Sequence, residues 1–151
     1  MKIESSAFNN EEMIPSKFTC DGENILPHLF WNDFPKETKT FALIVDDPDA
    51  PGGTFVHWVV YNIPPNVTNF PEGTTSSNLP SGSKQATNHF GDDNYGGPCP
   101  PSGIHRYYFK LYALDSEVNL KTGGGKRDLL KAMEGHILAE AQLMGKYERK
   151  K

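Results

Sequence analysis

The sequence predicts a mainly β protein with one helix near its C-terminus. Turn-forming residues recur every few positions up to about residue 104, and the apolar stretches between them are short and rich in β-branched and aromatic side chains. This rhythm is typical of strands joined by tight turns. A chain of 151 residues without an internal repeat or linker is long enough to bury one core. We therefore expect a single domain spanning residues 1–151.

Three strands are predicted from alternating patterns. They run from Phe41 to Asp47, from Phe55 to Ile63 and from Ile104 to Leu114. The second strand places His57 in phase with other apolar or aromatic residues: Phe55, Val59 and Tyr61. The third strand has a face that begins polar and becomes apolar: His105, Tyr107, Phe109 and Leu111. Such a face is expected of a strand that runs from a site into a core.

The helix is predicted between Gly125 and Gly145. Apolar residues recur there at steps of three and four positions, which would form one stripe packed on a sheet: Leu130, Met133, Ile137, Ala141 and Met144. The earlier region from Asn66 to Tyr95 is poor in apolar residues and is predicted to form long surface loops. We expect three aromatic residues to be exposed on these loops: Phe70, Phe90 and Tyr95.

The charge balance argues against binding to nucleic acid. The chain has 19 acidic and 15 basic residues, a net charge of −4, and one basic run at residues 149–151. Sequence-independent binding to nucleic acid needs many cations to neutralise phosphates. No stretch has the length and apolar character needed to cross a bilayer, and no apolar run follows the first lysine. We expect a cytoplasmic protein with no transmembrane segment.

Polar side chains stand at the ends of the three predicted strands. Asp47 follows an apolar face, so its carboxylate needs a partner there, and His57, His105 and Tyr107 supply two imidazoles and a hydroxyl. Together with the N–H groups of the Gly96-Gly97 turn, these groups can donate hydrogen bonds to phosphate or carboxylate oxygens. We therefore predict a small pocket for a phosphate-like anion or a phosphorylated headgroup, with Asp47 orienting a charged histidine.

Three segments resemble the signature motifs of the phosphatidylethanolamine-binding protein family, in particular its bacterial and archaeal Raf-kinase-inhibitor-like group. The segments are Asp47-Pro48-Asp49-Ala50-Pro51, residues 57–64 (His-Trp-Val-Val-Tyr-Asn-Ile-Pro), and Gly97-Pro98-Cys99-Pro100-Pro101 continuing to His105-Arg106-Tyr107. The resemblance implies a large antiparallel sheet packed with a smaller sheet and a peripheral helix. It implies a ligand pocket formed by Asp47, His57, Gly97, Pro98, His105 and Tyr107.

The same resemblance implies a non-catalytic protein that regulates a protein partner, such as a kinase or a protease, through the pocket rim. It also suggests a cis peptide bond between Ala50 and Pro51. We expect Asp49 to brace the loop through Arg106, which alternation turns away from His105.

Two other functions use the same residues. In a hydrolase, Cys99 would act as the thiolate, His57 or His105 as the base and Asp47 as the orienting acid. A metal site is a weaker alternative, because none of the usual ligand spacings is present, and no metal or other cofactor is predicted. The sequence leaves open whether Cys20 and Cys99 are bridged.

Overall fold

The structure is a computed structural model that describes residues 1–149. Its strands, in chain order, are β1 (Lys2–Glu4), β2 (Leu29–Asn32), β3 (Thr40–Asp47), β4 (Phe55–Ile63), β5 (Asn69–Phe70), β6 (Lys84–Ala86), β7 (His105–Leu114) and β8 (Ile137–Tyr147). The α-helix α1 spans Lys126–Met133, and two 3-10 turns span Ser16–Phe18 and Ser76–Asn78. The large antiparallel sheet has the order β6-β4-β3-β7-β8, and the small one has the order β1-β2-β5. This architecture confirms the predicted fold class.

The central strand β3 contributes to two cores because both of its faces are covered. Phe41 and Val45 lie in the core between the two sheets, whereas Ala42 and Ile44 lie in a second core on the opposite face of the large sheet. The second core is covered by α1 and by nearby loop residues. The core between the sheets is rich in edge-to-face aromatic contacts, such as Trp31 with Phe41 at 5.7 Å between ring centroids.

The predicted C-terminal helix is wrong over more than half of its length. The helix ends at Met133, Gly135 adopts a left-handed conformation with φ of 80°, and the chain then forms β8. Two residues four positions apart lie on one face of a helix but also on one face of a strand, so the spacing of Ile137 and Ala141 fits both structures. Pairing with β7 along nearly all of β8 decides in favour of the strand. Of the predicted apolar stripe, Met133 is buried, whereas Leu130 and Ile137 are exposed.

Two smaller expectations are also wrong. Phe70 is not exposed on a loop but fully buried between the sheets, in contact with Trp31 and Trp58. No peptide bond among residues 1–149 is cis, including the bond between Ala50 and Pro51. The core packing explains the first difference, because Phe70 pairs with Leu29 in the small sheet and closes that edge of the core.

A β-bulge interrupts β4 at His57. Val45 lies opposite Trp58, but the next residue of β3, Asp46, lies opposite Val56, so that His57 is an extra residue on β4. An extra residue shifts the alternation of side chains along the bulged strand.

The shift changes the face on which the neighbours of His57 lie. Val59 and Tyr61 belong to the core under α1, whereas the His57 ring lies 5.3 Å from the ring of Tyr107, which belongs to the core between the sheets. The expected common face of His57, Val59 and Tyr61 is therefore wrong. The bulge brings His57 to the same side of the sheet as Tyr107.

Candidate functional site

A cavity of about 320 Å³ opens at the end of the large sheet where Asp47 ends β3, β4 begins and His105 begins β7. Its polar lining consists of Asp47, His57, His105 and Tyr107, the four polar side chains predicted from the sequence. The rest of the wall is apolar or contributed by a half-cystine: Ala50, Pro51, Phe55, Phe90, Cys99, Pro100 and Pro101. The antiparallel register explains the cluster, because the end of β3 lies beside the beginnings of both β4 and β7.

Asp47 fixes the orientation of His105. Its Oδ2 atom accepts a hydrogen bond from His105 Nδ1 at 2.7 Å, and the two side chains are only 4% and 7% exposed. Its Oδ1 atom accepts the backbone N–H of Asp49 at 2.7 Å. Because a carboxylate only accepts hydrogen bonds, the His105 proton lies on Nδ1 and Nε2 remains for a ligand.

His57 is held by a backbone carbonyl. Its Nδ1 donates to the Gly96 oxygen at 2.7 Å, while the Gly96 N–H donates to the His57 oxygen at 3.0 Å. Burial lowers the pKa of His57, although the Gly96 carbonyl and the Asp47 charge oppose this effect. The neutral ring leaves Nε2 as an acceptor, and a proton taken up there would make it a donor.

The hydroxyl of Tyr107 has no hydrogen-bond partner among the described residues, although it is buried. Burial, with a smaller contribution from the Asp47 charge, raises the pKa of Tyr107, so the group remains an O–H donor. A buried hydroxyl without a partner is unfavourable, and native proteins rarely leave one unpaired. A ligand that accepts this hydrogen bond would remove that penalty.

Gly97 and Pro98 do not line the cavity, although they directly precede the wall residue Cys99. The Gly97 N–H donates to Asn24 Oδ1 at 2.8 Å, and the Gly96 N–H is bonded to His57. Both N–H groups, which we expected to bind an anion, therefore already donate to partners within the protein. Gly97 matters for packing instead, because a Cβ atom there would collide with the Phe18 carbonyl oxygen and with Asn24.

A disulfide joins Cys20 to Cys99. Cys99 belongs to the cavity wall, and Cys20 lies on the loop after the first 3-10 turn, where its N–H donates to the Pro98 oxygen at 3.0 Å. No free cysteine is present in the described part of the chain. In this oxidised form Cys99 has no thiolate, so the nucleophile of the hydrolase alternative is missing.

Asp49 braces the loop after β3, as expected. Its two oxygens accept hydrogen bonds from the Arg106 backbone N–H, from Nε and from Nη2, at 2.8–2.9 Å. The hydrogen bonds from Arg106 lower the pKa of Asp49 to about 2. The pair ties the loop that carries Ala50 and Pro51 to the start of β7.

Phe90 and Asn88 belong to the site, although the sequence patterns do not predict them as part of it. The buried Asn88 amide donates to the backbone oxygens of His57 and Asn94, and its oxygen accepts the N–H groups of Phe90 and Asp92. These bonds shape the turn that places Phe90 in the cavity wall, 5.3 Å from the His57 ring. No periodic pattern marks such residues in a loop, so only their contacts identify them.

A larger cleft of about 1050 Å³ lies beside α1. Two of its charged groups already have partners, since Lys126 pairs with the buried Asp46 at 2.7 Å and Asp128 accepts the Gly125 N–H.

Within residues 1–149 no three His, Cys, Asp or Glu side chains are grouped as a metal site. No helix in that range has the length and apolar character to cross a membrane.

Comparisons with known proteins agree with this architecture. Residues 4–148 match the family model described as phosphatidylethanolamine-binding protein. A UPF0098 protein of Methanothermobacter thermautotrophicus is 53% identical over 150 residues, with 99% of each chain covered. A UPF0098 protein of Aquifex aeolicus is 49% identical over 152 residues, covering 99% of this chain and 89% of the relative.

Two solved structures are similar over almost their whole length. One is a putative phosphatidylethanolamine-binding protein homolog, CT736 of Chlamydia trachomatis, with a TM-score of 0.91, 43% identity, and coverage of 99% of this chain and 97% of the other. The other is YbcL of E. coli, described as a member of the mammalian family, with a TM-score of 0.92, 33% identity, and coverage of 99% and 98%. The chain belongs to the phosphatidylethanolamine-binding protein family.

Proposed function

We propose that this protein is a non-catalytic binding protein whose pocket holds a phosphate-like anion or a phosphorylated headgroup. The observation that carries the proposal is the buried Tyr107 hydroxyl, which has no partner in residues 1–149 and belongs to the lining of an open cavity. The same cavity is lined by His57 and His105, whose Nδ1 atoms are engaged and whose Nε2 atoms remain for a ligand. The Tyr107 hydroxyl can donate to an anion oxygen directly, and each Nε2 can do so once it carries a proton.

The composition and size of the cavity restrict the ligand. A volume of about 320 Å³ is at the small end for ligand pockets, so it admits a headgroup and excludes long acyl chains. No lysine or arginine lines it, so positive charge must come from the histidines. The aromatic rings of Phe55 and Phe90 would contact the part of the ligand attached to the anionic group.

We further propose that the site regulates a protein partner, such as a kinase or a protease, by binding a phosphorylated or acidic group of that partner. Two large apolar side chains near the cavity are exposed, Phe90 at 45% and Ile104 at 57%. Phe90 forms part of the wall, and Ile104 directly precedes His105. A partner whose phosphorylated or acidic group entered the pocket would cover these two apolar side chains.

An NMR titration with phosphorylethanolamine and with inorganic phosphate tests the pocket. We expect saturable shifts of the His57 and His105 imidazole signals, and at least about tenfold weaker binding by His57→Ala and His105→Ala. His136 provides a matched control, because its Nδ1 also pairs with a carboxylate, Asp115, at 2.8 Å but outside the cavity. His136→Ala should bind like the wild type.

Two outcomes of the titration would count against the pocket. Equal binding by the folded His57→Ala and His105→Ala variants, or no saturable shift at millimolar ligand, would contradict the anion pocket. The regulatory role predicts competition: phosphorylethanolamine should displace a partner protein whose phosphorylated or acidic group occupies the pocket. If phosphorylethanolamine and the partner bind at the same time, the regulatory role is contradicted.

A further inference from the structure

One part of the pocket wall is held by a covalent bond and not by hydrogen bonds. Up to Pro98, backbone groups of this wall segment are bonded to neighbouring elements. From Cys99 to Ile104, no hydrogen bond is formed within the described part of the chain, and the next hydrogen-bonded element is β7, beginning at His105. The disulfide to Cys20 is therefore the cross-link of this segment, which contributes Pro100 and Pro101 to the cavity.

The other end of the disulfide is anchored to the large sheet. Next to Cys20, the Asp21 carboxylate accepts the hydroxyl of Tyr147, the last residue of β8, at 2.6 Å, and it also accepts Arg149 Nε at 3.1 Å. The Thr19 hydroxyl donates to the Ser16 oxygen at 2.8 Å and fixes the turn. The bridge thus fastens a segment without hydrogen bonds to a segment with several.

The bridge is accessible to small reagents. Cys20 and Cys99 are both partly exposed, and Cys99 forms part of the wall of an open cavity. A small thiol can therefore approach the Cys99 sulfur through the pocket, and a ligand in the pocket would obstruct that approach.

We propose that the Cys20–Cys99 disulfide controls the anion affinity of the pocket, so that the oxidised form binds the ligand more tightly than the reduced form. This inference rests on the proposed anion pocket. A dithiol is the reductant: its thiolate attacks the Cys99 sulfur, and Cys20 leaves as a thiolate that takes up a proton. The second thiol of the reductant then displaces Cys99 as a thiol, so two electrons have passed to the protein and the reductant becomes a disulfide.

Reduction weakens binding because the segment that carries Pro100 and Pro101 loses its cross-link and must be ordered again when a ligand binds. Ordering a few residues accounts for roughly a tenfold change in affinity. Thermodynamic linkage requires the reciprocal effect, in which a bound anion makes the disulfide harder to reduce by the same factor. For a two-electron couple, a tenfold factor is a shift of about 30 mV toward a more negative potential.

The full-length protein can be tested directly. Phosphorylethanolamine binding is measured by NMR on the oxidised protein and on the same sample reduced with dithiothreitol. The variant Cys20→Ser is the matched control, because it removes the bridge but leaves the wall residue Cys99 in place. We expect both the reduced protein and Cys20→Ser to bind about tenfold more weakly, and dithiothreitol to have no further effect on the variant.

A second measurement does not depend on any bridge variant. The disulfide is equilibrated in mixtures of reduced and oxidised dithiothreitol, with and without saturating inorganic phosphate. We expect phosphate to lower the midpoint potential by about 30 mV in the wild type and to leave it unchanged in His57→Ala, whose anion site is disabled.

The two proposals fail in different ways. If the oxidised protein shows no saturable binding, the anion pocket itself is wrong. If oxidised and reduced proteins bind equally and phosphate does not shift the potential, the pocket stands and the redox control is wrong. Loss of the native NMR spectrum on reduction would also overturn the proposed redox control of binding, because the bridge would then support the whole fold and not one wall of the pocket.

Discussion

Binding of an anion at His57 is expected to draw a proton into the pocket. Burial lowers the pKa of this imidazole, so in the empty pocket the neutral ring is favoured near neutral pH. Its Nδ1 is committed to the Gly96 carbonyl, which leaves Nε2 as the atom that gains the proton and then donates to the ligand. The other ionisable groups that line the cavity are the Asp47 carboxylate, the His105 ring and the Tyr107 hydroxyl, and the Asp46 charge also acts on His57.

Sulfate affinity should therefore fall as the pH rises from about 5 to about 8. Sulfate remains a dianion across this range, so its own ionisation does not obscure the result, as that of phosphate would. The measurement is an NMR or calorimetric titration at several pH values. His57→Gln should show a shallower slope than the wild type, and an affinity that increases with pH would contradict the assignment.

The variant Tyr107→Phe should separate stability from binding. It removes only a buried hydroxyl that has no partner in residues 1–149, so the free energy of unfolding should be unchanged or higher by about 1 kcal/mol. Phosphate binding should weaken about threefold to tenfold, because the ligand loses one donor. Urea unfolding and NMR titration measure the two effects. A large loss of stability would show that the hydroxyl has a partner in solution.

The four polar residues of the cavity could be predicted from the sequence because each stands at the end of a strand pattern. Alternation predicts the correct face for Asp47, His105 and Tyr107, because β3 and β7 pair without a register shift up to Asp46 and Tyr108, next to these residues. His57 was predicted with the wrong neighbours, because a bulge depends on pairing between strands and leaves no periodic signal in one strand. The engagement of the Gly97 N–H by Asn24, 73 positions away, is equally invisible in a local pattern.

Among the elements, the pocket wall depends on close contact between residues 95–98 and the first 3-10 turn region. Tyr95 donates its hydroxyl to the Phe18 oxygen at 3.0 Å, and Gly97 approaches the same carbonyl without a Cβ atom. These contacts fix the backbone that leads into the wall residues Cys99, Pro100 and Pro101.

Gly97→Ala should displace this wall, because its methyl group would meet the backbone of Phe18. We expect a loss of about 1–3 kcal/mol in the free energy of unfolding, together with weaker phosphate binding. Urea unfolding and an NMR titration would measure these effects. Gly52→Ala is the control, since a Cβ atom at Gly52 meets nothing within 4 Å. Wild-type stability and affinity in Gly97→Ala would show that the wall can relax freely.

The helix and β8 show where element prediction from sequence reaches its limit. The apolar spacing between residues 125 and 145 fits a helix, and α1 does occupy its first part. After Gly135, however, the chain gains a long antiparallel partner in β7, which no local pattern reports. The strands β3, β4 and β7 were more predictable because their alternating or continuous apolar runs are bounded by turn residues.

At the scale of the whole molecule, the large sheet separates the pocket from α1. The Tyr107 ring and the core between the sheets lie on one face, and Leu129 and Met133 of α1 pack on the other. Stability supplied by the helix and ligand binding should therefore be largely independent.

Leu129→Ala tests this separation. Leu129 is fully buried, so its truncation should lower the free energy of unfolding by about 2–5 kcal/mol. Phosphate affinity of the folded variant should remain within about twofold of the wild type. The two quantities come from urea unfolding and from NMR titration at low temperature. A large loss of affinity in the folded variant would show that the two faces are coupled.

The bulge in β4 makes the site depend on the number of residues in this strand as well as on their identity. If one residue were deleted between Phe55 and Trp58, the register shift at this point of the ladder with β3 would disappear, and the side chain before Trp58 would turn toward the helix. An imidazole at that point would then be separated from Asp47 by the sheet. The place of His57 in the pocket is therefore set by how many residues separate Phe55 from Trp58, and a change of one residue there would remove it without altering any other side chain of the site.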